Sequence, residues 1–183
     1  MAYAGSLLIL TGPPGAGKST VADLLARGSV APAVHMHTDD FYDRYIKSGF
    51  VLPWLPEAHG QNTVVVGAIV AAATAYASGG YFTIVDGIVL PLFLEPYRTA
   101  ARERGIALDY VVLRPGNAEI SLARVQDRNE HGLNAEGPIR NLYAQFSALG
   151  ALEKHRFDSG DGSAAEIATA LAPRIAAGEF RLV

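Results

Sequence analysis

The chain has 183 residues, of which half are hydrophobic and 18% are charged, and a chain of this length buries roughly 70% of its unfolded surface on folding. These values predict one compact domain over residues 1–183, because domains commonly contain about 100–200 residues. The net charge of −3, the pI near 5.9 and the scattered positions of the 15 lysines and arginines disfavour a nucleic-acid partner.

The absence of cysteine excludes disulfide bonds and thiolate metal sites and is compatible with a reducing compartment. The opening stretch, MAYAGSLLIL, lacks the basic region of a signal peptide, and its apolar part is short. The longest apolar stretch, residues 64–77, falls below the length of a membrane span. We therefore expect a cytoplasmic protein with no membrane partner.

Hydrophobic runs bounded by glycine, proline and polar residues predict the elements in chain order. Five strands are expected, at residues 6–11, 33–38, 81–85, 108–113 and, weakly, 154–158. Helices are expected at residues 18–27, from an N-cap at Asn62 to Gly79-Gly80, and at 92–104, 119–130, 139–149 and 164–177. Residues 41–60, which contain aromatics, prolines and glycines, are predicted to have little regular structure. Strands that alternate with helices predict a parallel sheet covered on both faces, an α/β fold in three layers.

The stretch GPPGAGKS matches the pattern G-x-x-x-x-G-K-[ST] and lies between a predicted strand and a predicted helix, as a phosphate-binding loop requires. Backbone N–H groups surround a polyphosphate only where no bulky side chain intrudes, and the helix N-terminus adds partial positive charge. We expect Lys18 to contact the β- and γ-phosphates of ATP and Ser19 to bind Mg²⁺. The predicted nucleotide-binding residues are Gly12, Pro13, Pro14, Gly15, Ala16, Gly17, Lys18, Ser19 and Thr20.

Acidic residues follow two of the predicted strands. Asp39 and Asp40 follow the second strand, and Asp86 ends the run YFTIVD. Ligands of doubly wound sheets bind outside the carboxyl ends of the strands, so these acids are expected to face the γ-phosphate. Asp39 is the candidate base for a hydroxyl acceptor, and Asp86 is a candidate metal ligand. The alternatives are helix capping by Asp39 or Asp40 and a simple Asp-Gly turn at Asp86.

Three arginines surround the polar stretch HGLNAEG. Arg124 and Arg128 lie four residues apart on one predicted helix face, and Arg140 follows the stretch. Arginines that close over a triphosphate stabilise the charge of phosphoryl transfer. A solvated helix face is the alternative for each of them.

His35 and His37 lie at alternate strand positions and so share one face of the strand, a spacing found in metal pairs. Zinc hydrolases that use this pair rest on larger barrels with further ligands distant in sequence. Metal binding by the two histidines is therefore not expected.

Taken together, GPPGAGKST, TDDFY, VDG and R-x-x-x-R resemble the motifs of small P-loop kinases: chloramphenicol phosphotransferase, gluconate and shikimate kinases, and nucleoside monophosphate kinases. The resemblance implies a P-loop NTPase fold with strand order 2-3-1-4-5 and a small lid at about residues 128–140. It also implies that Asp39 is the base, that Arg124 and Arg128 are lid arginines, and that the DSGDGS loop borders the adenine.

The acceptor is expected to be a small-molecule hydroxyl. Adenylate-type kinases follow their third strand with D-G-F-P-R, whereas this chain has DGIVLP and lacks that arginine. Arg44 is the alternative phosphate-binding residue if the enzyme is instead a nucleoside monophosphate kinase, and a nucleotide-binding regulatory ATPase is the rival from another class. The predicted substrate-side segment spans about residues 41–62, and its candidate residues are Asp40, Tyr42, Arg44, Trp54 and Asn62.

Overall fold

The computed structural model of this chain describes residues 3–126, 136–160 and 162–183. Five strands are present in this part of the chain: β1 (Ser6–Thr11), β2 (Ala33–His37), β3 (Phe82–Gly87), β4 (Ala107–Arg114) and β5 (Arg156–Asp158). The helices are α1 (Lys18–Arg27), α2 (Thr38–Asp43), α3 (His59–Ser78), α4 (Leu94–Arg104), α5 (Ala118–Gln126), α6 (Glu136–Phe146) and α7 (Ala164–Ala176). Short 3-10 turns occupy Pro56–Ala58, Pro91–Phe93 and Gly150–His155.

The strands form one parallel sheet in the order β2-β3-β1-β4-β5. The α/β class and the strand order expected from the sequence are therefore confirmed. β3 lies between β1 and β2, and its register places Gly87 beside Thr11 and Asp86 beside His37. The carboxyl ends of β1, β2 and β3 thus meet at one edge of the sheet, where ligands of such sheets bind.

Hydrophobic side chains pack on both faces of the sheet. Leu7 and Ile9 of β1 belong to a cluster that includes buried residues of α3 and α4, and Leu8 and Leu10 belong to a second cluster with α1 and α7. Alternate strand residues point to opposite faces, so one unbroken apolar run supplies both cores. Each fully buried side chain of this kind contributes roughly 1.5–3 kcal/mol. The two cores hold β1, and with it the start of the loop that follows, in the centre of the molecule.

The substrate-side segment agrees with the prediction in its middle and differs at its ends. Residues 44–55 form no helix or strand, as expected, whereas α2 extends to Asp43 and α3 begins at His59. Asp39 and Asp40 lie in the first turn of α2, where the helix dipole stabilises negatively charged carboxylates. Asn62 is not the N-cap of α3. It is buried one turn inside that helix, and its Nδ2 donates to the Pro53 carbonyl at 2.8 Å.

Smaller differences concern helix ends. α6 spans Glu136–Phe146 rather than the predicted 139–149. α5 is described as far as Gln126, so the predicted end of this helix at residue 130 lies outside the described residues. The same holds for Arg128 and for most of the predicted lid at 128–140.

One helix in the described part of the chain, Pro56–Ser78, is long and apolar enough by length and composition to cross a membrane. The apolar stretch 64–77, which is shorter than a membrane span as expected, forms part of this longer helix. Core helices of soluble proteins also meet this criterion. Here Val65, Ile69 and Ala73 of α3 are buried in the core that covers one face of the sheet, so the helix is a layer of the α/β fold.

Candidate functional site

The loop between β1 and α1 depends on two glycines because backbone from other elements approaches it closely. A Cβ on Gly12 would lie 2.1 Å from the Leu113 carbonyl oxygen of β4, and one on Gly15 would lie 2.5 Å from the Ser121 carbonyl oxygen of α5. Both glycines also have positive φ, 146° and 74°. Gly12 and Gly15 therefore fix the loop against its neighbours, a role that the sequence pattern does not reveal.

The loop leads into the N-terminus of α1. Gly17 is the N-cap in a left-handed conformation (φ 82°), and no side chain caps the helix and no acidic residue lies in its first turn. The N–H groups of such a turn attract an anion such as phosphate. The Lys18 ammonium donates to the Pro13 carbonyl across the loop at 3.0 Å. This arrangement fits a phosphate-binding site, and the contacts of these residues with a nucleotide stay predictions.

Two side-chain oxygens of the kind that bind a hard cation lie beside the loop. The Ser19 hydroxyl donates to Asp86 Oδ2 at 2.6 Å, which joins the start of α1 to the end of β3. Hydroxyl and carboxylate oxygens are the donors that Mg²⁺ prefers, so the two residues fit the ion that the sequence predicts for them. Their roles as metal ligands stay predictions.

Both strand histidines contact the other oxygen of Asp86. His35 Nε2 lies 3.0 Å and His37 Nδ1 lies 2.9 Å from Asp86 Oδ1. Burial alone would raise the pKa of Asp86, but hydrogen bonds from His35 and Ser19 and the charge of His37 bring the pKa below its ordinary value of 3.8. Asp86 is therefore an ionised carboxylate with neighbours on both of its oxygens.

Asp39 lies at the start of α2, next to the loop. Desolvation raises the pKa of its carboxyl above the ordinary 3.8 although the residue as a whole is exposed, and the Lys18 charge and the Thr38 hydroxyl oppose that rise. Asp86 and Asp43 add to it through repulsion. Lys18 and Asp86 thus both act on Asp39, so the three charged groups predicted from separate motifs belong to one electrostatic cluster.

Two other predicted substrate residues, Tyr42 and Arg44, lie in α2 or directly after it. Desolvation, with a contribution from Asp39, raises the pKa of Tyr42 to about 12, so this phenol stays protonated at neutral pH. Arg44 forms an ion pair with Asp40 at 2.8 Å, one turn along the same helix, and its side chain is 75% exposed. Trp54 is 51% exposed. Their roles as substrate contacts stay predictions.

Gln61 fixes the substrate-side segment, a role that the sequence alone does not predict. Its Oε1 accepts from the Val51 N–H at 2.8 Å, and its Nε2 donates to the Val51 carbonyl at 2.7 Å. These two hydrogen bonds pair the Gln61 amide with the Val51 backbone, as two strands pair in a sheet, and they join the substrate-side segment to α3. Together with the bond from Asn62 to Pro53, it fixes the chain before α3.

Arg124 faces the phosphate loop. Its Nη1 lies 3.5 Å from the Gly15 carbonyl oxygen, and it lines a cavity of about 320 Å³ with residues 15–17 of the loop and residues 162–164 before and at the start of α7. The cavity therefore joins the phosphate loop to the end of the DSGDGS segment, for which the resemblance to small P-loop kinases implies a position beside adenine. Arg140 lies elsewhere: it pairs with Glu136 at 2.7 Å and Glu119 at 2.9 Å, linking α6 to α5.

Gly87 allows β3 and α2 to approach at the edge of this site. A Cβ on Gly87 would lie 1.7 Å from Thr38 Oγ1, so we expect Gly87→Ala to lower the free energy of unfolding by about 1–3 kcal/mol through overpacking. Urea denaturation measures the change. The matched control is Gly67→Ala, because Gly67 is helical, exposed and has open space around it. That variant should gain up to about 1 kcal/mol, and equal stability of the two variants would contradict the assigned contact.

Most of the chain matches one known protein family. Residues 8–144 match the AAA domain (AAA_18). The chain belongs to the AAA domain family. The matched region of this AAA domain contains the phosphate loop, both strand histidines, Asp39, Asp86 and Arg124. No curated protein matches the sequence.

Solved structures of small-molecule kinases share the fold of this AAA domain. The Mycobacterium tuberculosis APS kinase CysC, in complex with AMPPNP and APS, is 21% identical with a TM-score of 0.69, covering 94% of this chain and 98% of that one. Shikimate kinase from Acinetobacter baumannii, in complex with shikimate, is 19% identical with a TM-score of 0.61 and 94% coverage of both chains. A gluconokinase from Sinorhizobium meliloti 1021 is 17% identical with a TM-score of 0.63 and 97% coverage of both. The predicted likeness to small P-loop kinases is therefore confirmed at the level of the fold.

Proposed function

We propose that this AAA domain protein is an ATP-dependent phosphotransferase that moves the γ-phosphate of ATP to a hydroxyl group of a small molecule. The observation that carries the proposal is the grouping of Asp39, Lys18 and Asp86 at the carboxyl edge of the sheet, where Lys18 and Asp86 both influence the Asp39 carboxyl. A binding module needs the phosphate loop, but it has no need of a second carboxylate beside the γ-phosphate position.

In the proposed reaction Asp39 accepts the proton of the acceptor hydroxyl while that oxygen attacks the γ-phosphorus and the bond to the β-phosphate oxygen breaks. A phosphate monoester and ADP leave. Lys18 and the N–H groups of the loop stabilise the charge that spreads over the phosphoryl oxygens. Desolvation helps this step, because it raises the basicity of Asp39 above that of an ordinary aspartate.

Ser19 and Asp86 would hold Mg²⁺, which neutralises the charge of the β- and γ-phosphates when it is bound. The 2.6 Å bond between these two side chains keeps the Oδ2 oxygen of Asp86 on the loop side. The buried position of Asp86 and its lowered pKa keep it ionised at neutral pH.

A hydroxyl acceptor is favoured over a phosphate acceptor by the charges on the substrate side. Asp39 and Asp40 both lie in the first turn of α2, and the one arginine of this helix region, Arg44, is paired with Asp40. An acceptor that carries phosphate would meet two carboxylates and a cation already neutralised by one of them. A neutral or cationic alcohol meets no such repulsion.

The test is acceptor-dependent release of ADP from Mg²⁺ and ATP, measured with nucleosides, nucleoside monophosphates, sugars, sugar acids, and aminoglycoside-like and phenicol antibiotics. Phosphorus NMR of the product then distinguishes a phosphate monoester from a diphosphate. The proposal expects a monoester from at least one alcohol. A diphosphate from a monophosphate acceptor would assign a nucleoside monophosphate kinase instead, and hydrolysis of ATP at one rate with every acceptor would assign a regulatory ATPase.

Arg124 is expected to contribute to catalysis because it faces the loop. We expect Arg124→Ala to lower kcat by about 10²-fold, the loss typical of removing one charge-stabilising group, with a smaller effect on KM for ATP. Arg140→Ala is the matched control, since Arg140 is bound to Glu119 and Glu136. Steady-state kinetics of both variants check the assignment, and equal losses would show that Arg124 acts through general charge alone.

A further inference from the structure

Three potential metal ligands meet at the end of β2 and β3 although they come from distant parts of the sequence. The ligand atoms of His35, His37 and Asp86 all lie within 4.8 Å of one another. The register of the two strands creates this cluster: His37 lies directly beside Asp86, and His35 precedes His37 by two positions on the same face.

The spacing suits a bound ion. Both imidazole nitrogens lie 2.9–3.0 Å from Asp86 Oδ1, and ligand atoms about 2.1 Å from a metal at right angles to each other are about 3.0 Å apart. The side chain of Asp86 is 1% exposed and that of His35 is 14% exposed, whereas His37 is 43% exposed. The cluster is therefore mostly buried and open to solvent on the His37 side, which gives an ion a route of entry.

The chemistry of the cluster differs from that of the Mg²⁺ position. Mg²⁺ takes oxygen ligands, whereas two imidazoles and one carboxylate are typical ligands of divalent first-row transition ions with open coordination positions. The two positions also use different oxygens of Asp86: Ser19 contacts Oδ2 and the histidines contact Oδ1. Asp86 can thus bridge a magnesium ion on the loop side and a second ion on the histidine side.

We propose that His35, His37 and Asp86 form a binding site for a divalent transition ion such as Mn²⁺, Co²⁺ or Zn²⁺, separate from the Mg²⁺ that accompanies the nucleotide. The ion replaces the two protons that otherwise join the imidazoles to Asp86 and compensates the charge of a buried carboxylate. The site depends on ligand geometry and not on phosphoryl transfer, so it is independent of the proposed kinase activity.

The test is titration of the full chain, freed of metal with a chelator and kept free of nucleotide, with Co²⁺. Visible absorption of Co²⁺ reports imidazole ligation, and calorimetry gives the stoichiometry. The proposal expects one Co²⁺ per chain, bound in the presence of excess Mg²⁺. His35→Gln and His37→Gln should each weaken binding by at least about 10-fold. His59→Gln is the matched control, because His59 is an exposed histidine at the start of α3 outside the cluster.

Thermal melting of each variant verifies that it is folded, and the partly exposed His37 is the safer substitution if His35→Gln unfolds. Absence of stoichiometric Co²⁺ binding by the unaltered chain would overturn the proposal. So would Co²⁺ binding that folded His37→Gln leaves unchanged, or that His59→Gln weakens equally. In those cases the imidazoles serve only as hydrogen-bond donors to Asp86. Because no nucleotide is present, failure here leaves the acceptor-dependent release of ADP as a separate question.

Discussion

The Asp39→Asn variant is expected to lose about 10²–10⁴-fold in kcat, the contribution usual for a general base, while its affinity for ATP stays nearly unchanged. Asparagine keeps the size and polarity of the side chain but cannot take up the proton of the acceptor. The residue is exposed and lies in the first turn of α2, and no cap hydrogen bond from a side chain depends on it. The fold should therefore survive the change. Acceptor-dependent ADP release measures the rate, and calorimetry with Mg²⁺ and ATP measures the affinity.

The pH dependence gives a second readout of the same residue. Asp39 must be ionised to act as a base, so activity should fall as the pH drops through its pKa. Desolvation raises that pKa above the ordinary 3.8, and the acid limb of the kcat/KM profile should be displaced upward accordingly. The variant should lack this limb.

Asp43→Asn is the matched control for Asp39→Asn. Asp43 is an exposed carboxylate at the end of the same helix, and it influences the Asp39 carboxyl only through charge. We expect nearly normal turnover from it. Unchanged turnover in Asp39→Asn, or an equally large loss in Asp43→Asn, would remove Asp39 from the role of base.

The parts of the fold that the sequence predicts well are those in which local signals agree with tertiary packing. The run SLLILT forms β1 with the predicted bounds, and α1 begins at Lys18 and ends before Gly28 as expected. An unbroken apolar run requires burial on both faces, and glycine on each side of a helical pattern leaves little choice of boundary. The phosphate loop is predictable for the same reason.

The residues at which α2 and α3 begin could not be predicted from local sequence signals, because they depend on contacts with other segments of the chain. The aromatic and proline content of residues 41–60 indicates a loop, and residues 44–55 are one, but it gives no sign of the contact between Thr38 and Gly87 or of the bonds from Gln61 to Val51. The contact between Thr38 and Gly87 forms only when the sheet brings β2 beside β3. Local composition carries no information about these contacts.

The cluster of His35, His37 and Asp86 is a second feature that local sequence signals do not predict. The sequence places His35 and His37 on one face of a strand, and metal binding is disfavoured there because zinc hydrolases that use such a pair rest on larger barrels with further distant ligands. The third ligand, Asp86, is 51 residues from His35. Only the parallel register of β2 and β3 places it beside His37. Spacing within one strand can identify two ligands of a site but not the one that a neighbouring strand supplies.

Lys18→Ala is expected to lower both the affinity for ATP and the rate, unlike Asp39→Asn. The ammonium group donates across the loop to Pro13 and would contact the phosphates in the ground state and more strongly in the transition state, where negative charge builds up on the phosphoryl oxygens. Removing one charged group that stabilises a transition state costs about 10²–10³-fold in kcat. Calorimetry and steady-state kinetics measure the two effects, and Lys154→Ala, which alters an exposed lysine in the 3-10 turn before β5, is the control.

Lys18 and Asp39 are also coupled through charge. The Lys18→Ala variant therefore also tests whether the two residues belong to one electrostatic cluster. The Lys18 charge lowers the pKa of Asp39, against desolvation, so its removal should raise that pKa further. The acid limb of the residual activity in Lys18→Ala is therefore expected at higher pH than in the unaltered protein. An acid limb at the same pH would show that Lys18 and Asp39 do not act on each other, and the cluster on which the proposed reaction depends would not exist in solution.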